Sequence, residues 1–244
     1  MNIVMLGATR GMGRALSRLF AARGDRLFLL GNIAEDLQQS VVDLQTRGST
    51  EVASAPCDLL DADTFRPALE AAERALGRMD VVVVSAGLFA PQEQLEEDYA
   101  FTARMLQANF TNTVLFCEQA RERILAAGGG TLCVFSSVAG DRGRKPVVLY
   151  GASKAGLSHY LESLDHRYRQ EGLVTVCVKP GFVKTTMTAG LKPPPFAGEP
   201  EAVAEDVLRA IDRGSPVVYV PPVWSQIMRV IRALPRAVMR KVNF

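Results

Sequence analysis

The sequence predicts one α/β domain built on a doubly wound parallel sheet of about seven strands, with helices on both faces. Three observations carry this. Short aliphatic runs recur along the chain at Ile3–Leu6, Leu27–Leu30, Val52–Ala55, Val81–Val84, Thr131–Phe135, Val174–Val178 and Val217–Val220. They are continuously apolar rather than alternating, as strands covered on both faces are. Helix-length segments separate them, at 12–22, 34–46, 64–76, 95–126, 150–170 and 201–212, which gives a βαβα rhythm and a three-layer α/β/α architecture.

Composition narrows the class. The chain has 244 residues, 48% apolar and 22% charged, enough for one substantial core. A net charge of +2 gives no footprint for nucleic acid. Cys57, Cys117, Cys133 and Cys177 lie far apart in apolar surroundings, without metal-ligand spacing. They read as reduced core residues of a cytoplasmic protein, and no metal is expected. The opening MNIVMLGATR has no basic leader, and its apolar run is too short for a signal peptide or a membrane span.

Taken in order, each element adds chemistry. The first strand runs into GATRGMG, with Gly7, Gly11 and Gly13 between strand and helix. Glycines there allow a sharp turn and a close approach to a pyrophosphate, which the free N–H groups of the helix start attract. Thr9, Arg10 and Met12 belong to the same loop, Met12 also as a helix-packing residue. The second strand ends at Gly31–Asn32, where a carboxylate would favour NAD; none occurs before Glu35, on the helix. Arg10 can reach a 2′-phosphate, so NADPH is favoured over NAD. The segment 95–126 is expected to hold two helices that break near Asn109–Asn112. In VVLYGASKAGL, Tyr150 and Lys154 stand one helical turn apart with only small residues between them. LKPPPFAGEP (191–200) is a stiff loop, not a domain boundary.

These features together resemble the single-domain short-chain dehydrogenase/reductase family over residues 2–220. GATRGMG resembles its glycine loop. Asp58 and Leu59 stand at the exit of strand 3, where the family meets the adenine. Ser85-Ala86-Gly87 is similar to its Asn-Ala-Gly, and Asn109 to its helical Asn. Ser137 precedes Tyr150 at the family spacing, and Tyr150/Lys154 form the Tyr-x-x-x-Lys pair. Pro180, Gly181, Val183 and Thr185 lie in the segment that holds the nicotinamide amide and the diphosphate. The resemblance implies Tyr150 as acid/base, Lys154 lowering its pKa and binding the nicotinamide ribose, Ser137 holding the carbonyl oxygen, and Asn109 holding a relay water. Two departures, Leu6 for Thr and Ser85 for Asn, put the rigidity of the cofactor loop in question.

The substrate side is less specific. Phe89, Leu191 and Phe196 are expected at an apolar rim. Arg142, Arg144 and Lys145 stand near the mouth, either binding an anionic group or solvated. His159 and His166 read as surface residues. Residues 1–222 form the catalytic unit and 223–244 its basic amphipathic tail. After Asp212 no acidic residue follows, and Arg229, Arg232, Arg236 and Arg240 oppose an apolar stripe. Two readings stand: a helix packed on its own domain or a sister subunit, and a peripheral contact with the inner face of a membrane. The tail and the SSVAG…DRGR stretch also resemble bacterial reductases of the decaprenylphosphoryl 2-keto-pentose reductase type, which implies an amphiphilic ketone. The leading function is reduction of a ketone or aldehyde, or the reverse. The alternatives are a sugar-nucleotide epimerase or dehydratase, and a cofactor-sensing regulatory protein. The family implies a homodimer or homotetramer.

Overall fold

The computed structural model describes residues 1–49 and 51–242; the last two tail residues lie outside the described residues. Seven strands form one parallel sheet: β1 (Asn2–Leu6), β2 (Arg26–Gly31), β3 (Val52–Pro56), β4 (Val81–Val84), β5 (Gly130–Phe135), β6 (Leu173–Pro180) and β7 (Val217–Val220). Their order is β3-β2-β1-β4-β5-β6-β7, all parallel. The direction of winding reverses between β1 and β4, so the loops leaving these strands diverge and open a crevice at their carboxyl ends.

The continuous apolar runs have the expected cause. Ile3, Met5, Val81 and Val83 face one core layer with Leu16 and Phe20 of α1 (Gly11–Ala22) and Val207 of α8 (Pro200–Arg213). Val4, Leu6, Val82 and Val84 face the other, with Leu69 of α3 (Phe65–Leu76), Phe116 of α6 (Thr113–Ala126) and Leu157 of α7 (Val148–Tyr168). Strands β1, β2, β4, β5 and β6 are largely buried on both faces because each face has its own helical layer, while the edge strands β3 and β7 are partly exposed. All four cysteines are buried and free. α2 (Ala34–Gln45) follows β2.

The 95–126 segment differs from its expectation. Its break falls at Asp98, between α4 (Gln92–Glu97) and α5 (Tyr99–Leu106), where the carboxylate accepts from Phe101 N at 2.8 Å. Residues 107–112 form a π turn that joins α5 to α6 without a break. The polar residues there have partners that keep the helix running. Asn112 Nδ2 donates to Leu59 O at 2.6 Å, and Thr113 Oγ1 to Ala108 O at 2.7 Å. A π turn shifts the register of one face and aims a side chain off the regular spiral; here that side chain is Asn109.

The tail folds back on its domain. Met228 and Ile231 of α9 (Val223–Ala233) are buried against Val138. α10 (Arg236–Met239) adds Met239 to the same cluster. A buried polar cluster supports this packing: Asp141 accepts from Lys179 Nζ at 2.6 Å and from Tyr219 OH at 2.7 Å. Arg142 Nη2 also donates to Leu234 O at 2.8 Å, tying the β5–α7 loop to the end of α9. The outer face of α9 keeps Arg229, Val230 and Arg232 exposed. Among the described residues no helix is long and apolar enough to cross a membrane.

Candidate active site

The glycine loop fits a pyrophosphate. Gly7 has φ +99°, and a Cβ there would meet Ala86 N at 2.5 Å. A Cβ on Gly13 would meet Gly7 O at 2.1 Å. Gly11, at φ +52°, faces Thr185 across the cleft, with its would-be Cβ 3.2 Å from Thr185 Cγ2. The α1 N-terminus has no side-chain cap and no acid in its first turn. Its N–H groups and dipole are therefore open to an anion. Ser85, where the family has Asn, still ties the two loops together: its Oγ donates to Gly7 O at 3.0 Å and lies 3.3 Å from Leu6 O.

The adenosine end lies beyond β2 and β3. Asn32 Nδ2 lies 3.4 Å from Asp58 Oδ2, so these two residues meet. Leu59 turns its side chain into the core, leaving its backbone toward the cleft. Arg10 is 62% exposed and pairs with Asp36 in the first turn of α2, Nη2 to Oδ2 at 2.8 Å. The sequence reading missed Asp36. Its only advance sign is an acid early in the helix after Gly31–Asn32.

The carbonyl end is a cavity of about 970 Å³. Its lining brings together Met12, Ser85, Ala86, Gly87, Ser137, Tyr150, Lys154, Pro180, Gly181, Val183 and Thr185. Phe89, Leu191 and Phe196 line it as expected. Trp224, Ile227, Ile231 and Leu234 of the tail form a wall that the sequence reading did not assign. The remaining nominated residues (Gly7, Thr9, Arg10, Gly11, Gly13, Asn32, Asp58, Leu59 and Asn109) lie outside this lining.

Local geometry fixes the four nominated catalytic groups. Ser137 leaves β5 in extended conformation, and its Oγ accepts from Ala139 N at 3.1 Å. Tyr150 sits in the first turn of α7, with the Phe89 ring edge-on at 5.0 Å between centroids. Lys154, one turn on, donates from Nζ to Phe135 O at 2.9 Å and lies 5.8 Å from the Tyr150 ring centroid. Ser136 points away and holds α7 through Lys154 O (2.9 Å) and Ser158 Oγ (2.7 Å). His159 and His166 are exposed.

Two features bear on the expected roles. Burial pushes the Tyr150 hydroxyl up to about 12, outweighing the opposing pull of Ser137. Burial also pushes the Lys154 ammonium down to about 8. The same dry pocket penalises the Lys154 charge, and its Nζ is directed at Phe135 O. The second feature concerns Asn109. Its Oδ1 accepts from Leu88 N and its Nδ2 donates to Leu88 O, both at 2.7 Å. Both ends of the amide clamp the loop after β4 beside Gly87, which fixes the position of Asn109.

Comparison with known proteins agrees with this geometry. The family model described as short chain dehydrogenase matches residues 1–195. The chain belongs to the short-chain dehydrogenase/reductase family. It is similar to an uncharacterized oxidoreductase of Mycobacterium tuberculosis, 30% identical over 240 residues, which covers 98% of this chain and 96% of that protein. It is also 30% identical over 213 residues to carbonyl reductase family member 4 of Danio rerio, covering 84% of this chain and 88% of that one. Among solved structures, an actinorhodin polyketide ketoreductase variant with NADPH superposes with a TM-score of 0.80 at 22% identity, over 90% of this chain and 95% of that one. As a member of this family the protein is a dehydrogenase/reductase acting on CH–OH groups with a nicotinamide dinucleotide.

Proposed function

We propose that this enzyme is an NADPH-dependent reductase of a ketone or aldehyde carried on an apolar body. The observation that carries the reading is the meeting of Ser137, Tyr150 and Lys154 in a large cavity whose other lining is mostly apolar. The names of the carbonyl reductase and ketoreductase relatives support the same direction of chemistry.

The residues divide the work as follows. The glycine loop and Thr185 would hold the diphosphate, and Lys154 the ribose. When bound, the reduced nicotinamide supplies the hydride to the carbonyl carbon. Ser137 donates a hydrogen bond to the carbonyl oxygen and orients it. Tyr150 gives that oxygen its proton, completing the alcohol. The Tyr150 phenol is protonated at neutral pH and so can give its proton in reduction, although burial makes it a weaker acid. Oxidation would need a phenolate, which an added cation beside the ring favours.

The preference for NADPH rests on Gly31–Asn32 at the β2 exit and on Arg10, which Asp36 holds beside the first turn of α2. Arg10→Ala should raise the KM for NADPH at least tenfold and leave that for NADH within about twofold. Equal effects on both would remove the assignment. An NADPH-oxidation screen over ketones, aldehydes and keto-sugars tests the whole reading; no turnover of any member would reject it.

A peripheral membrane contact is a second reading. Met187, Leu191, Phe196 and Val230 are exposed and line the cavity, and the basic tail lies beside them. Such a rim would let an amphiphilic ketone enter from a lipid surface, and a lipid-linked keto-sugar is one such ketone. Flotation with anionic liposomes at low salt should carry the protein upward; a protein left at the bottom rejects the contact. Assembly into a homodimer or homotetramer through the 95–126 and 150–170 helices is part of the proposal. Exposed Tyr99, Phe110 and Leu115 support it, and sedimentation at the monomer mass would contradict it.

A further inference from the structure

Among the described residues three buried side-chain atoms lack a hydrogen-bond partner: Gln119 Oε1, Arg144 Nε and Trp224 Nε1. Both donors of the three line the carbonyl cavity. Trp224 lies over Gly181, where a Cβ would come within 2.1 Å of Nε1, so its donor stands at the nicotinamide end. Arg144 stands on the β5–α7 wall just ahead of Tyr150, at the start of the short turn leading into α7.

Arg144 is half-buried, and its Nε has no hydrogen-bond partner. It forms no ion pair with any described residue. Asp141 is the one acid whose charge reaches it, and that carboxylate is already held by Lys179 and Tyr219. Burial disfavours its charge, yet a guanidinium does not deprotonate in a protein. A partly desolvated cation with a buried, unmet donor is disfavoured, and a bound acceptor anion would relieve that. The rest of the lining points the same way. Its only other charged members are Glu93, Lys154 and Lys192. Lys154 is turned to Phe135 O, Glu93 is exposed on α4, and Lys192 adds a second cation in the loop that covers the cavity.

We infer that Arg144 is the anion anchor of the substrate site, and that the substrate joins its carbonyl and apolar body to a carboxylate or phosphate group. This rests on reading the cavity as the carbonyl site, and it adds the substrate class. Arg144 is a specificity residue for binding: it takes no part in hydride or proton transfer.

Trp224 is the only tryptophan of the chain, so its fluorescence reports binding without turnover. Full-length wild type, Arg144→Ala and Arg144→Lys are titrated with cyclohexanecarboxylate, phenyl phosphate and neutral cyclohexanecarboxamide. The wild type should bind one of the anions about ten- to a hundredfold more tightly than the amide, a charge-assisted hydrogen bond's worth. Arg144→Ala should erase that preference and leave the amide's Kd unchanged, while Arg144→Lys keeps part of it. Whichever anion shows the Arg144-dependent preference names the class. Equal binding of anions and amide by the wild type overturns the inference, as does a preference that survives in Arg144→Ala. If Arg144→Ala unfolds, Arg144→Gln gives the same comparison. Failure of the reductase reading looks different: the anion preference is present, but no ketone is reduced.

Discussion

Gly13→Ala separates the fold of the cofactor loop from its function. The added Cβ would sit 2.1 Å from Gly7 O and 2.4 Å from Ser85 Oγ. Ordinary contact needs more than 3 Å, so the Gly7 carbonyl must retreat by about 1 Å. That movement strains the 3.0 Å bond from Ser85 Oγ to Gly7 O, which joins the β1 and β4 loops. Overpacking of this kind costs ~1–3 kcal/mol. Alanine is favoured over glycine within a helix by ~1 kcal/mol, which offsets part of it. The net loss of stability should then be ~0–2 kcal/mol, a modest fall in Tm. Affinity should respond more strongly. Hydrogen bonds to a charged group are worth ~1.5–3 kcal/mol each, so misplacing one or two loop N–H groups weakens NADPH binding by about ten- to a thousandfold. Titration of Trp224 or NADPH fluorescence measures Kd, and calorimetry measures Tm. Gly143→Ala serves as control: its φ lies outside the left-handed region, as at Gly13, and its Cβ would meet nothing within 4 Å. An NADPH Kd within threefold of wild type in Gly13→Ala would refute the reasoning.

Two further outcomes follow. Lys154 has its folded pKa depressed to about 8 from an ordinary value near 10.5, so the unfolded chain binds more protons between those values and stability rises with pH across that window. The stability of wild type relative to Lys154→Met should therefore increase by ~2–3 kcal/mol from pH 8 to pH 10; a difference independent of pH would contradict the buried charge. Met228→Ala should cost ~2 kcal/mol, the low end for a buried methionine because its cluster is small. It should also lower kcat/KM for bulky ketones while NADPH affinity holds, and an unchanged kcat/KM with an unchanged Trp224 spectrum would show that α9 is not a wall of the site.

The central strands were legible because each is a short apolar run buried on both faces, and burial of that kind leaves no alternating pattern. The glycine loop and Ser137 were legible at strand ends, and Tyr150 and Lys154 as a pair one turn apart at the start of a helix. Other features depend on partners distant in sequence. Asn109 and Asn112 look like helix breakers until Leu88 and Leu59 supply acceptors, and the result is a π turn. The α9 stripe has the same amphipathic pattern whether it meets a membrane or Val138, so periodicity alone left both readings open. Arg10 and Asp36 lie in different elements and meet only because β1 and β2 are neighbours. Arg144 is one of several basic residues in its loop; what distinguishes it is a buried Nε without an acceptor, which only the fold reveals.

Tyr150→Phe tests the central assignment most directly. The substitution removes only the hydroxyl, so the ring's edge contact with Phe89 and the cofactor cleft are retained. NADPH Kd should stay within about threefold of wild type, while kcat for a reducible ketone falls by ~10²–10⁴. A variant that binds NADPH and still turns the ketone over at the wild-type rate would show that Tyr150 is not the proton donor.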